Sequence, residues 1–105
     1  MSDKEISGII KSTVHAFLPD ARVLLFGSRA LGNFNENSDF DLLIITKNNL
    51  PDKEKISWAG KIRKSLINTL HAPFDVILNS DQEVERKKEY PGHIIRWAMK
   101  DGVFL

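Results

Sequence analysis

Two short motifs contain the side chains of this sequence that could do chemistry on a phosphate group. Gly27 and Ser28 end one apolar run, and two aspartates, Asp39 and Asp41, open the next one. A third acid, Asp75, stands near the start of a later apolar run. Carboxylates at the entrance of a dry core are costly unless a positive partner balances them.

The two aspartates are one residue apart, which places them on one side of a strand. Side chains alternate between faces, so Asp39 and Asp41 are predicted to point one way and Phe40 the other. Like charges this close repel each other, and burial at a sheet mouth adds to the cost. A hard cation such as Mg²⁺ binds a few carboxylates and completes its shell with water and substrate phosphates. We therefore predict a metal site at Asp39 and Asp41, with Asp75 as a third carboxylate.

The segment Gly27-Ser28-Arg29 offers the complementary half of such a site. Glycine at a strand end lets the backbone turn and lets a phosphate approach closely. Ser28 is predicted to begin a short helix, whose free amides and dipole favour an anion. The Arg29 guanidinium is a fork suited to phosphate oxygens. The two halves together predict a site for a nucleoside triphosphate.

Each half also has a purely structural interpretation. A Gly-Ser pair is typical of an ordinary turn, an Asp-x-Asp pair of a solvated strand end, and Asp75 of a charged loop-to-strand junction. The two motifs at this spacing arise by chance in roughly one in a thousand chains of this length, from average residue frequencies. The combination therefore favours the functional interpretation.

Helices and strands alternate along the chain and must position these residues. A capping box at Ser2 and Glu5 begins a helix that Pro19 ends, and another at Ser80 and Glu83 begins a later one. Further helices are predicted over 28–31, 52–70 and 91–100, and strands over 22–26, 39–46, 74–78 and 103–105, with a loop marked by Gly32, Asn33, Asn35 and Asn37. The helix over 52–70 is predicted to bury Ile56, Ala59, Ile62, Leu66, Ile67 and Leu70. The expected class is α/β or α+β around a small sheet, in a single domain over 1–105.

The neighbour of the third strand decides whether Asp75 joins the site. The strand over 74–78 is expected beside the first strand. A catalytic role for Asp75 instead requires the helix over 52–70 to return the chain beside the second strand. The continuous apolar run Leu42–Ile45 predicts that the second strand is buried on both faces.

Composition limits the classes of function. The 105 residues have a net charge of +1, 42% hydrophobic residues and no cysteine. A charge near neutral gives no basic track for nucleic acid, and the lack of cysteine excludes disulfides and thiolate chemistry. No apolar run approaches the roughly 20 residues of a membrane span, and the N-terminus has no apolar signal core. We expect a cytoplasmic enzyme or binding module with no membrane and no nucleic-acid partner.

The segment GSRALGNFNENSDFDLLI resembles the signature of the DNA polymerase β-like nucleotidyltransferase superfamily, in particular its minimal nucleotidyltransferase (MNT) proteins. The resemblance implies a small mixed sheet with helices mainly on one side, the palm-like fold of that superfamily. It implies that Gly27 and Ser28, with Arg29 beside them, bind phosphate. It also implies that Asp39, Asp41 and Asp75 bind metal, and that Asp75 is the general base.

The resemblance also implies a reaction and a class of partner. An acceptor hydroxyl would attack the α-phosphate of a nucleoside triphosphate, here ATP, with two Mg²⁺ ions about 4 Å apart. MNT proteins accompany HEPN-domain proteins as antitoxins, and some transfer AMP to a tyrosine of that partner. Three alternatives stay open: an antitoxin that acts by contact alone, an adenylyltransferase for a small molecule, and a homo-oligomer in which a second copy completes the acceptor site.

Overall fold

The computed structural model describes residues 1–32, 34–35 and 37–105. Its strands are β1 (Arg22–Phe26), β2 (Phe40–Thr46), β3 (Phe74–Ser80) and β4 (Val103–Phe104). Its helices are α1 (Asp3–Phe17), α2 (Ser28–Leu31), α3 (Asp52–Leu70), α4 (Asp81–Lys87) and α5 (Ile94–Asp101). The predicted order of elements is confirmed, whereas Asn33, predicted as a loop residue, lies outside the described residues.

The helix ends follow from local chemistry. Both predicted capping boxes form, at the start of α1 and at the start of α4. The last helix begins at Ile94, later than the predicted 91, because the positive φ of Gly92 (+77°) turns the chain first. The His93 side chain then caps the helix by accepting a hydrogen bond from the Ile95 amide at 3.1 Å.

One four-stranded mixed sheet has the order β3-β2-β1-β4. β1 is antiparallel to β2 and to β4, whereas β2 and β3 are parallel. A parallel pair needs a crossover, and the 19-residue helix α3 supplies it. The expectation that the third strand lies beside the first is therefore wrong, and the arrangement that Asp75 requires, beside the second strand, is the observed one.

Helices pack on both faces of the sheet, and the two long ones share a face. Phe40, Leu42 and Ile44 of β2 face α1 and α3, and Leu43 and Ile45 face α4 and α5. Leu42 to Ile45 are at most 1% exposed, so the predicted burial of β2 on both faces is confirmed.

The prediction for the buried face of α3 is wrong at one residue, Ile56. Ile56 is 74% exposed, although Ile62 and Leu66 of the same helix are fully buried. Ile56 lies in the second turn of α3, near the helix start, and the core cluster on that face begins with Trp58 and Ala59. Within the described part of the chain, no helix is long and apolar enough to cross a membrane.

Candidate active site

The three predicted acids gather where β2 and β3 begin. The parallel pairing of these strands sets Asp41 directly opposite Asp75. Residues directly opposite each other in adjacent strands point to one face of the sheet, and here it is the face of Leu43 and Ile45. Asp39 immediately precedes β2 and belongs to the same face by alternation. The structure thus brings together three acids from two segments that are far apart in the sequence.

Burial and the two neighbouring acids shift the pKa of Asp41. Burial raises the pKa of the Asp41 carboxyl, and the charges of Asp75 and then Asp39 raise it further. Asp41 is half-buried, whereas Asp39 and Asp75 are exposed. The cluster therefore holds unfavourable negative charge that a cation would relieve, and it is open to solvent on one side.

Gly27 lies against the Asp41 carboxylate. The antiparallel pairing places Phe26 opposite Asp41, so the next residue, Gly27, turns beside that side chain. A Cβ at Gly27 would collide with Oδ2 of Asp41 and lie 3.2 Å from its Cγ. The backbone there has φ +73° and ψ −158°, a conformation essentially reserved for glycine. Glycine is therefore required twice, for the turn and for the close approach.

Ser28 begins α2 directly after that turn. The Gly27 carbonyl accepts hydrogen bonds from the Ala30 and Leu31 amides at 3.1 and 3.2 Å, which closes the single turn of this helix. The amides of Ser28 and Arg29 are first-turn donors, for which a helix provides no internal acceptor. Donors of this kind beside a glycine turn suit a phosphate, and phosphate binding by Gly27 and Ser28 stays a prediction.

Arg29 is engaged with the segment that leads into β2. Its Nε and Nη2 donate to the Ser38 carbonyl at 3.2 and 3.0 Å. Its guanidinium carbon lies 4.1 Å from the Phe40 ring centre and 4.7 Å from that of Phe34. The predicted contact of Arg29 with phosphate stays a prediction.

The donor set fits Mg²⁺ better than a softer metal, because it consists of carboxylate oxygens. Asp39, Asp41 and Asp75 would hold the ion, and the Gly27 turn lies against Asp41. Among residues 1–32, 34–35 and 37–105, no group of three or more His, Cys, Asp or Glu side chains is arranged to hold a metal ion, so the three acids do not form a complete site. Mg²⁺ is commonly held by one or two carboxylates together with substrate phosphates, so the nucleotide would supply the missing oxygens.

Sequence reasoning missed Arg63, which contacts the third acid's strand. Its Nε donates to the Phe74 carbonyl at 2.7 Å, and Phe74 directly precedes Asp75. Arg63 lies in α3 between Lys61 and Lys64, a pattern typical of a solvent-exposed face. No local pattern in the sequence therefore indicates its contact with Phe74.

Comparisons with known proteins identify the family of this chain. The family model described as the nucleotidyltransferase domain matches residues 4–103. The chain is 44% identical over 55 residues to the "Putative protein adenylyltransferase MJ0141" of Methanocaldococcus jannaschii, a match over 50% of this chain and 50% of that protein.

Solved structures share the fold at low identity. A toxin–antitoxin crystal structure with AMP-PNP has a TM-score of 0.66 at 18% identity, covering 93% of this chain and 70% of that one. A tri-AMPylated HEPN toxin of Shewanella oneidensis in complex with its MNT antitoxin gives 0.64 at 12% identity, covering 98% and 71%. At these identities the likeness shows the fold.

Proposed function

The chain belongs to the nucleotidyltransferase domain family, and from that premise we propose that it transfers AMP from ATP to a hydroxyl group of a partner protein. One observation carries the proposal: the Gly27 turn lies against Asp41, and Asp41 is paired in register with Asp75. The glycine turn and the cluster of acids thus lie together at one end of β1, β2 and β3. This is the arrangement that a metal-bound nucleoside triphosphate needs.

We assign each residue a role from its position and from the resemblance to the nucleotidyltransferase family. Gly27 and the first amides of α2 bind the phosphates. Asp39 and Asp41, with Asp75, hold Mg²⁺, which would neutralise the triphosphate and make its α-phosphorus more electrophilic. Asp75 accepts the proton of the acceptor hydroxyl as that oxygen bonds to the α-phosphorus. The bond to the bridging oxygen breaks, and pyrophosphate leaves.

The open side of the site favours an acceptor presented from outside. Asp75 is exposed and lies on β3, an edge strand of the sheet. An acceptor hydroxyl on another protein can therefore approach it without crossing the core. Among residues 1–32, 34–35 and 37–105, β3 pairs with β2 and with no other strand.

The relatives support a protein acceptor of the HEPN class. One of them is named as a protein adenylyltransferase, and others are solved in toxin–antitoxin complexes, including an AMPylated HEPN toxin with its MNT antitoxin. The chain matches only half the length of the curated relative, so its acceptor is proposed by similarity of these proteins. We propose that its acceptor is a HEPN-domain partner and that AMP transfer neutralises it.

Nucleotide binding is tested first. Calorimetric titration with ATP should give tighter binding with Mg²⁺ than without it. The combined variant Asp39→Ala, Asp41→Ala should lose the difference, and the matched control Asp20→Ala, an exposed aspartate outside the site, should keep it. Equal ATP affinity with and without Mg²⁺ in the wild type would refute the metal-nucleotide site.

Transfer is tested separately with any HEPN-domain protein that a neighbouring gene encodes. ATP labelled at the α-phosphate should label that protein, and the double variant should not. If the double variant neutralises the partner as well as the wild type does, the chain acts by contact alone. That outcome would favour the second candidate, a binding module, which the toxin–antitoxin complexes among the structural neighbours also accommodate.

A further inference from the structure

Two arginines each hold the backbone carbonyl that directly precedes a candidate acid. Arg29 donates through Nε and Nη2 to the carbonyl of Ser38, the residue before Asp39. Arg63 donates through Nε to the carbonyl of Phe74, the residue before Asp75, at 2.7 Å. Arg29 belongs to α2 and Arg63 to α3, so these two similar contacts form only when the chain folds.

Stacked aromatic rings connect the two contacts. The Arg29 guanidinium lies over the Phe40 ring, at 4.1 Å from its centre, and Phe40 stacks on Phe74 at 4.7 Å with an angle of 12° between the rings. The Phe40 amide also donates to the Pro73 carbonyl at 3.0 Å. The entrances of β2 and β3 are therefore tied to each other and braced from both sides.

We infer that Arg29 and Arg63 are positioning residues that hold the entrances of β2 and β3, and with them Asp39 and Asp75, at the separation the metal site needs. The value of this positioning for catalysis rests on the proposed function, whereas the bracing itself is a property of the metal-free fold. For Arg29 the inference assigns a role other than that of a phosphate ligand.

The physical reason is the repulsion among the acids. Without metal, like charges favour separation of the strand entrances, and these entrances are where fraying of a strand begins. A guanidinium is suited to resist it, because a planar fork can give two hydrogen bonds to one carbonyl while its face stacks on a ring. Lysine at position 29 could supply the charge but neither the fork nor the stacking.

The bracing is tested first without metal or nucleotide. Amide hydrogen exchange of Phe40, whose N–H bonds Pro73 between the two braces, should become about tenfold faster in Arg29→Ala and in Arg63→Ala. Arg29→Lys should behave like Arg29→Ala. Arg96→Ala is the matched control, because Arg96 also donates to a backbone carbonyl, that of Glu89 at 3.4 Å, away from the acids. Exchange at Phe40 that is unchanged in the first two variants, or faster in the control too, would overturn the inference.

Calorimetry then separates positioning from phosphate binding. Each brace variant should lose about 10- to 100-fold of the affinity for AMP-PNP measured with Mg²⁺, the usual cost of losing a residue that orients a metal ligand. The metal-free AMP-PNP affinity should stay within about twofold, since it reports the Gly27 turn. A matching loss without metal would show that Arg29 binds phosphate and overturn its positioning role.

These arms keep the two proposals distinguishable. A wild type that does not bind AMP-PNP more tightly with Mg²⁺ refutes the metal-nucleotide site, while the exchange result still decides the bracing. Thermal unfolding of each variant checks that it is folded. Arg29 is half-buried and Arg63 is exposed, and neither belongs to the two core clusters, so we expect the core to stay intact in both variants.

Discussion

Replacing Gly27 by alanine should damage both the fold and the site, and the structure gives the size of each effect. The Gly27 backbone conformation, φ +73° and ψ −158°, costs a residue with a Cβ about 1–3 kcal/mol. The new Cβ would also collide with Oδ2 of Asp41. Restoring ordinary contact requires that carboxylate to move by about 1 Å. Because Asp41 is only half-buried and can rotate, we expect the collision to add about 1 kcal/mol, near the low end for overpacking.

Gly92→Ala is the matched control for this prediction. Gly92 also has a positive φ, +77°, but a Cβ there would meet nothing within 4 Å. It therefore carries only the strain of the left-handed conformation, about 1–2 kcal/mol. Gly27→Ala should lower the free energy of unfolding by about 2–4 kcal/mol in urea titrations, clearly more than the control.

The functional assay follows the displaced carboxylate. Gly27→Ala should weaken Mg²⁺-dependent ATP binding at least about tenfold, since a metal ligand has moved, while Gly92→Ala should bind as the wild type does. The reasoning would be refuted by a Gly27 variant that is no less stable than the Gly92 variant and binds Mg²⁺ and ATP normally.

Three further changes have definite expected outcomes. Asp75→Asn should abolish AMP transfer; wild-type turnover would remove Asp75 from the reaction. Asp41→Asn should stabilise the metal-free protein at neutral pH, because burial and the charges of Asp75 and Asp39 raise the pKa of Asp41 above its ordinary 3.8. The gain in the free energy of unfolding, measured in urea titrations, should vanish as the pH falls below 3.8. A gain that does not depend on pH would contradict this prediction. Burial opposes ionisation of Glu83, but hydrogen bonds from Lys55 and the Ser80 amide outweigh it and lower its pKa to about 2. The contribution of Glu83 to the free energy of unfolding should therefore be complete above its ordinary pKa of 4.5 and be lost as the pH falls toward 2. Glu83→Gln should remove this loss of stability from the acid unfolding curve.

Local patterns in the sequence determined the elements and the chemical identity of the site. The capping boxes fixed where α1 and α4 begin, because their two hydrogen bonds join residues three apart. Alternation fixed the common face of Asp39 and Asp41, and the apolar run after them fixed the burial of β2. These features are readable because each depends on neighbours within a few residues along the chain.

The tertiary structure alone decided which elements meet. Periodicity states that β3 has a buried face but not which strand it pairs with, so the register of Asp41 with Asp75 depended on how α3 crosses over the sheet. The same limit explains Ile56, which has the right spacing for the buried face of α3 but stands in solvent near the start of that helix. Arg63 gives the clearest case: a cation in a lysine-rich helix reads as solvated until folding brings its guanidinium to the Phe74 carbonyl. Hydrogen bonds between distant segments leave no local pattern, because they are set by packing of the core and not by the spacing of residues along the chain.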